Sequence, residues 1–383
     1  MAGPLYIGLM SGTSVDGVDA VLADFAGQRP SVLAAHHCPF DPALRNRLLA
    51  LARPFAGELD AASEVGLELA RVYAEASLAV VAKAGLAPAD IVAIGCHGQT
   101  VRHRPERGYT LQIGAPAALA ESTGIAVVSD FRSGDIAAGG QGAPLAPGFH
   151  AAVLADPSIP RVVLNLGGIA NITRLVPGQP VIGFDCGPAN ILMDGWTERH
   201  LGQPFDRDGA WASSGRVLAP LLERMLAEPF FALPPPRSTG RDLFDLGWVE
   251  RHLDGGEAPE DVQATLLSLT ATTVSRAIRT SVGTLDARLE VIVCGGGARN
   301  AALVAALALQ NAPAGTHSSS TLGLEPETIE PLAFAWLACE RLEGRPGNLP
   351  DVTGASGPRL LGAVYPAPSR TLARSGRLSG GER

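Results

Sequence analysis

Ser11-Gly-Thr-Ser-Val-Asp-Gly-Val-Asp19 is the stretch on which the reading of this chain turns. A short apolar run at residues 6–10 leads into it, and a loosely alternating run at 18–25 leaves it and stops at Gly27. Strand, glycine-rich turn and strand in that order predict a β-hairpin. Gly12, Thr13, Ser14, Val15, Gly17 and Val18 would then aim backbone N–H groups and two hydroxyls at one point, which suits a phosphate. The carboxylates of Asp16 and Asp19 would repel that phosphate unless a cation stood between them. Mg2+ at Asp16 is therefore part of the expectation.

The same pattern recurs downstream. Apolar runs at 162–166 and 169–175 flank Gly167-Gly168, and a third at 181–184 ends on Asp185. A second hairpin of this kind predicts an α/β protein with two lobes, residues 1–140 and 141–344, and residues 345–370 returning to the first. Asn165, Gly167 and Gly168 would form the other half of a phosphate clamp. Gly295, Gly296 and Gly297 follow an expected strand at 289–293 and open a helix from Asn300, where free amides and close approach favour a nucleotide. Asp185, ending a buried strand before Gly187-Pro188, stands where a general base is expected. Its alternative is an N-cap for the helix beginning near Ala189, on which Asn190 and Asp194 share a face.

Helical spacing is present at 60–84, 262–278 and 331–341. A strand at 91–95 delivers His97, Gln99 and Thr100 to its carboxyl end, followed by Arg102, His103 and Arg104. In an open α/β sheet that end is the usual place for a ligand. Another short strand at 125–128 precedes Arg132. The loop Gly139-Gly-Gln-Gly-Ala-Pro144 is too rich in glycine for regular structure and is expected to line the site with Gln141 near the lobe boundary.

Composition narrows the chemistry. The chain has 383 residues, 46% of them hydrophobic and 18% charged, and a net charge of −8. That balance speaks against a nucleic-acid partner, for which clustered basic residues are needed. No apolar run approaches the roughly 18 residues of a membrane span, so a cytoplasmic protein is the expectation. Its five scattered cysteines form no metal-type spacing and are expected to be reduced core residues. Among 30 basic residues only Lys83 is lysine, and it lies in an alanine-rich helical stretch outside any phosphate motif. A bound nucleotide must therefore be held by amides, a cation and arginine.

Taken in order, the motifs resemble the anhydro-N-acetylmuramic acid kinase family, within the sugar kinase, Hsp70 and actin fold group. They are Gly8-Leu-Met-Ser-Gly-Thr-Ser-Val-Asp-Gly-Val-Asp19, His97-Gly-Gln-Thr-Val-Arg-His-Arg-Pro105, Asp130-Phe-Arg132 with Asp135 and the loop at 139–144, and Asn165-Leu-Gly-Gly-Ile-Ala-Asn171. Phe184-Asp-Cys-Gly-Pro-Ala-Asn190, Ser238-Thr-Gly-Arg-Asp-Leu-Phe244, Gly295-Gly-Gly-Ala-Arg-Asn300 and Glu330 with Ala333-Phe-Ala-Trp-Leu337 complete the series. The family usually has Thr and Gly where this chain has Cys186 and Ala189, and often alanine where it has Pro331. The resemblance implies a ribonuclease H-like two-lobed fold with ATP between the lobes and Asp185 as base. It also implies Mg2+ near Asp16 and Glu330, a homodimer, and an anhydrosugar held by His97, Gln99, Thr100, Arg132, Gln141 and Asn190. The implied reaction opens the 1,6-anhydro bridge and phosphorylates O6, yielding N-acetylmuramic acid 6-phosphate in cell-wall recycling. A levoglucosan-type kinase and an actin- or Hsp70-like ATPase without sugar chemistry are the rival readings.

Overall fold

The structure is a computed structural model that describes residues 3–12, 15–27, 29–235 and 237–368. β1 (Leu5–Met10) and β2 (Gly17–Asp24) make the antiparallel hairpin, with Leu5 opposite Asp24 and Met10 opposite Asp19. β3 (Ser31–Pro39) continues the meander along β2. Its sequence shows no clean alternation because it is an edge strand whose residues are mostly exposed or half-buried.

The long helix α1 (Glu58–Lys83) crosses over the sheet and returns the chain in β4 (Ile91–Cys96), parallel to β1 on its other side. The sole lysine, Lys83, ends that helix and donates to the Ala35 carbonyl at 2.9 Å, tying α1 to β3. Beyond β4, a separate hairpin of β5 (Gln99–Arg104) and β6 (Tyr109–Ile113) stands outside the main sheet. Helix α2 (Pro116–Thr123) then leads to β7 (Val127–Ser129), parallel to β4.

Helix α3 (Ala146–Leu154) carries the chain into a second sheet. β8 (Arg161–Leu166), β9 (Ile169–Leu175) and β10 (Ile182–Pro188) form another antiparallel meander. After α4 (Asn190–Leu201) and α5 (Pro259–Val282), β11 (Glu290–Cys294) joins β8 in parallel. Helix α6 (Ala301–Asn311) precedes β12 (Gly315–Ser318), parallel to β11. Helix α7 (Ile329–Leu342) follows, and β13 (Ala363–Tyr365) closes the first sheet against β7.

The strand orders are β13-β7-β4-β1-β2-β3 and β10-β9-β8-β11-β12. Each sheet thus contains a three-stranded meander whose first strand is extended on the opposite side by two parallel crossover strands, and the first sheet adds antiparallel β13 beyond them. That is one ribonuclease H-like topology used twice, and it places the β1–β2 and β8–β9 turns at equivalent positions.

Between the sheets lies a shared apolar layer. Phe149 and Leu154 of α3 and Leu332, Phe334 and Leu337 of α7 pack with Tyr6, Val21 and Val128 of the first sheet and with Val163, Leu175 and Cys294 of the second. Each such side chain contributes about 1.5–3 kcal/mol by leaving water. Glycine makes the fit possible: a Cβ on Gly8 would lie 1.8 Å from the Pro331 carbonyl oxygen, and one on Gly95 2.0 Å from that of Phe334. The backbone of α7 therefore rests directly on β1 and β4, which sets its first turn, with Glu330, at the mouth of both hairpins.

Candidate active site

Thr13 and Ser14 lie outside the described residues. Around them, Val15 holds the left-handed backbone (φ 53°) and donates its N–H to the Gly12 carbonyl at 3.3 Å. Gln99 Nε2 donates to the same carbonyl at 3.3 Å, so this side chain braces the turn from β5. Ser11 Oγ and Tyr73 OH share a hydrogen bond of 2.8 Å beneath it. Val18 is fully buried and offers the turn only its backbone. Asp19 accepts from His37 Nδ1 at 2.8 Å, and the same imidazole covers Gly17, where a Cβ would fall 2.7 Å from its ring.

Glu330 is bonded within its own lobe and feels the charges of Asp19 and Arg132 from the other. Its Oε1 accepts from Asn165 Nδ2 at 3.3 Å, across 165 residues of chain. Burial raises the Glu330 carboxyl above its ordinary value, the charge of Asp19 raises it further, and Asn165 and Arg132 pull the other way. Asp19 is raised as well, chiefly by loss of solvent, against the pull of His37. Glu330 feels the charge of Asp19, and Asp19 in turn those of Asp16 and Glu327, so added positive charge is stabilising in this region.

The glycine turn after β11 fits against the β8 end. A Cβ on Gly295 would lie 2.3 Å from Asn165 Oδ1 and one on Gly297 2.7 Å from Leu166 Cβ, whereas one on Gly296 would meet nothing. Gly295 also needs its φ of 78°. The tight glycines seat the turn; Gly296 keeps its face open.

Gly167 and Gly168 direct their carbonyls to the start of α4, accepting from Asn190 N at 3.1 Å, Ala189 N at 2.9 Å and Ile191 N at 3.1 Å. Asn190 Nδ2 is used on the Leu166 carbonyl at 3.0 Å. Ala189 has φ −114°, so its conformation makes no demand for glycine. Asp185 is not the cap of this helix. Its Oδ2 accepts the Thr239 N–H at 2.9 Å, and burial pushes its carboxyl up to about 6, with Thr239 and then Arg237 opposing the rise. Asp194, on α4, is pushed up to about 7 by burial and next by the charge of Asp16 from the other lobe.

His97 is buried and accepts at Nε2 from Arg132 Nε (3.1 Å) and Nη2 (2.8 Å). An arginine can only donate, so His97 carries its proton on Nδ1 and is neutral. Burial and the Arg132 charge hold its titration well below the ordinary value. Arg132 Nη1 reaches the Gly142 carbonyl at 2.7 Å, and burial lowers this guanidinium to about 10. Buried Asp135 organises the loop that follows: Oδ1 accepts from Asn348 Nδ2 and Thr353 Oγ1, both at 2.7 Å, and Oδ2 accepts from Gly142 N at 2.8 Å. Gln141 is exposed on that loop, its N–H bound to the Thr353 carbonyl at 2.7 Å. Thr100 Oγ1 accepts from Gln112 at 3.2 Å in the β5–β6 hairpin. Arg102 is spent on Glu58 and Arg104 on its neighbour's carbonyl, which leaves Arg132 as the arginine beside Glu330.

Sequence reasoning assigned no role to His37, Arg237, Thr239 or Arg241. The Ser238-Thr-Gly-Arg241 segment stands among the motifs, yet only folding brings it to Asp185. All five cysteines are buried and free. No described helix is long and apolar enough to cross a membrane.

Two copies of one topology, with hairpin turns and an acid converging between them, place the chain in the sugar kinase, Hsp70 and actin fold group. Comparison with known proteins defines it further. The family model described as anhydro-N-acetylmuramic acid kinase matches residues 4–367. Proteins named anhydro-N-acetylmuramic acid kinase from Nitrosospira multiformis and Bordetella petrii are 53% and 57% identical, covering 96% and 95% of this chain and 100% and 97% of their own lengths. The chain belongs to the anhydro-N-acetylmuramic acid kinase family. Among solved structures, the activator of 2-hydroxyisocaproyl-CoA dehydratase from Clostridium difficile with bound ADPNP is similar at TM-score 0.45 and 14% identity, over 89% of this chain and 96% of its own. A ROK family glucokinase from Streptomyces griseus in complex with glucose and AMPPNP has TM-score 0.36 and 14% identity, over 87% and 98%.

Proposed function

We propose that this enzyme uses ATP to phosphorylate 1,6-anhydro-N-acetylmuramic acid at O6 while hydrolysing the anhydro bridge, giving N-acetylmuramic acid 6-phosphate during peptidoglycan recycling. Family membership supplies the substrate, and the observation that carries the chemistry is Asp185. It is a half-buried carboxylate at the bulge within β10 and not at the strand end the sequence suggested, held through one oxygen and pushed up to about 6. A base of that strength is ionised at neutral pH and still able to take a proton.

In a 1,6-anhydro sugar O6 is bonded to C1, so no hydroxyl is available there for a simple kinase. Asp185 takes a proton from water as the water oxygen bonds to C1. The C1–O6 bond breaks, O6 bonds to the γ-phosphorus, and the bond from that phosphorus to the ADP oxygen breaks. Phosphoryl transfer captures the charge on O6 that a glycosidase would neutralise with an acid, so one carboxylate suffices.

The turns Gly12 to Asp19, Asn165 with Gly167-Gly168, and Gly295 to Gly297 would surround the phosphates. His97, Gln99, Thr100, Arg132, Gln141 and Asn190 would line the sugar side. The lobes are assigned as residues 1–140 with 345–370, and 141–344. The donor set suits Mg2+, which commonly rests on one or two carboxylates and completes its shell with phosphate oxygens and water. Asp16 and Glu330 would hold it, and it would supply charge neutralisation at the phosphates. Family membership also supports a homodimer acting in the cytoplasm.

Turnover in 18O-enriched water tests the scheme: the product should gain one label, at C1, together with one phosphoryl group. A phosphorylated product free of label removes the hydrolytic step. Equal efficiency on levoglucosan would favour the rival sugar.

A further inference from the structure

β10 is an edge strand, and Asp185 sits where its pairing with β9 breaks register: Asp185 faces Asn171, while Gly187, two residues on, faces Ala170. The extra residue is Cys186, the mark of a bulge, and bulges re-aim side chains. A bulged edge residue would be loosely held if nothing covered it. Here the free edge is covered by the segment at 237–239. Asp185 N donates to the Arg237 carbonyl at 3.1 Å, and Arg237 Nε donates back to the Asp185 carbonyl at 3.0 Å. Both polar groups of the Asp185 peptide unit are thus bonded to one residue, while Thr239 N–H holds its carboxylate.

Arg237 is itself anchored. Its Nη1 donates to the carbonyls of Phe231 at 3.0 Å and Leu233 at 2.7 Å, and its guanidinium stands 5.3 Å from the Phe184 ring centre and 5.2 Å from that of Phe230. Phe231 closes the far side, where a Cβ on Gly187 would lie 2.6 Å from its ring. Only a planar fork can serve the Asp185 carbonyl and these carbonyls together.

We propose that Arg237 is a positioning residue for the reaction, clamping the bulged Asp185 peptide so that its carboxylate is presented to water in a fixed place. The proposal rests on Asp185 being the base. A misplacement of about 1 Å can cost on the order of 10²-fold in rate, so the clamp acts on kcat and leaves ground-state binding alone. The titratable and charged groups facing Asp185 are Cys186 on its own strand and Arg237 on the covering segment. Removing the guanidinium withdraws the one positive charge among them.

The test compares the full-length enzyme with Arg237→Lys, Arg237→Gln and Asp185→Asn, using anhydro-N-acetylmuramic acid and ATP. Both Arg237 variants should lose about 10- to 100-fold in kcat with KM for ATP within about twofold. In Arg237→Gln the acid limb of kcat/KM should also move to higher pH. If Arg237→Gln does not fold, Arg237→Lys decides, since it keeps a cation over the phenylalanines but lacks the fork. An unchanged kcat in either folded variant, or a loss of kcat in Arg237→Gln with an unmoved acid limb, overturns the proposal. Activity in Asp185→Asn instead overturns the base assignment; an inactive Asp185→Asn beside normal Arg237 variants sinks only the clamp.

Discussion

Asp185→Asn should abolish turnover and at the same time stabilise the protein at neutral pH. In the fold the carboxyl titrates at about 6 against an ordinary value of 3.8. The sign follows from proton binding: between those values the folded state holds a proton that the unfolded state has released, so stability falls as pH rises through the window. At about 1.36 kcal/mol per pH step, the ionised group costs the fold about 3 kcal/mol above pH 6 and nothing below pH 3.8. Asparagine keeps the shape and an oxygen for the Thr239 N–H while removing the charge. The assay is urea unfolding of both proteins at pH 7.5, 5.5 and 4. The variant should be the more stable at pH 7.5, by up to about 3 kcal/mol, with the difference shrinking as pH falls. A variant equally or less stable at pH 7.5 would refute the reasoning that burial strains this carboxylate.

The same group sets the acid limb of activity. With Asp185 titrating at about 6, kcat/KM should fall about tenfold for each pH step below that value, and a flat profile down to pH 5 counts against the base assignment. Asp135→Ala should destabilise by about 3 kcal/mol or more, because three buried donors, from Asn348, Thr353 and Gly142, lose their acceptor; a change under about 0.5 kcal/mol in urea would contradict this. Gly8→Ala should cost about 1–3 kcal/mol by forcing α7 off β1, and a thermal midpoint equal to that of the parent would mean that the helix shifts freely. His97→Ala should strand two donors of Arg132 and lower stability by about 1–3 kcal/mol, whereas unchanged unfolding would show water replacing the imidazole.

The two hairpins, the long helices and the glycine turns were legible because apolar alternation and turn chemistry are local properties, readable within a few residues of Ser11 or Gly167. β3, β5, β6 and β13 were not: they lie at edges or outside the main sheets and carry mixed burial patterns. The candidate site divides along the same line. Lysine scarcity and the spacing of Asp16, Asp19 and Asp185 are facts of the chain, and they pointed to phosphate, cation and base.

Tertiary structure decided the partners. Glu330 meets Asn165 across 165 residues, and Thr239 reaches Asp185 across 54. His97 faces Arg132, and Arg237 covers an edge that no local pattern reveals. The elevated proton affinity of Asp185 belongs to the fold as well, because it comes from burial among segments remote in sequence. Residue type and spacing determine which chemistry is possible; distance and desolvation, which arise only when the lobes pack around α7, determine which residues perform it.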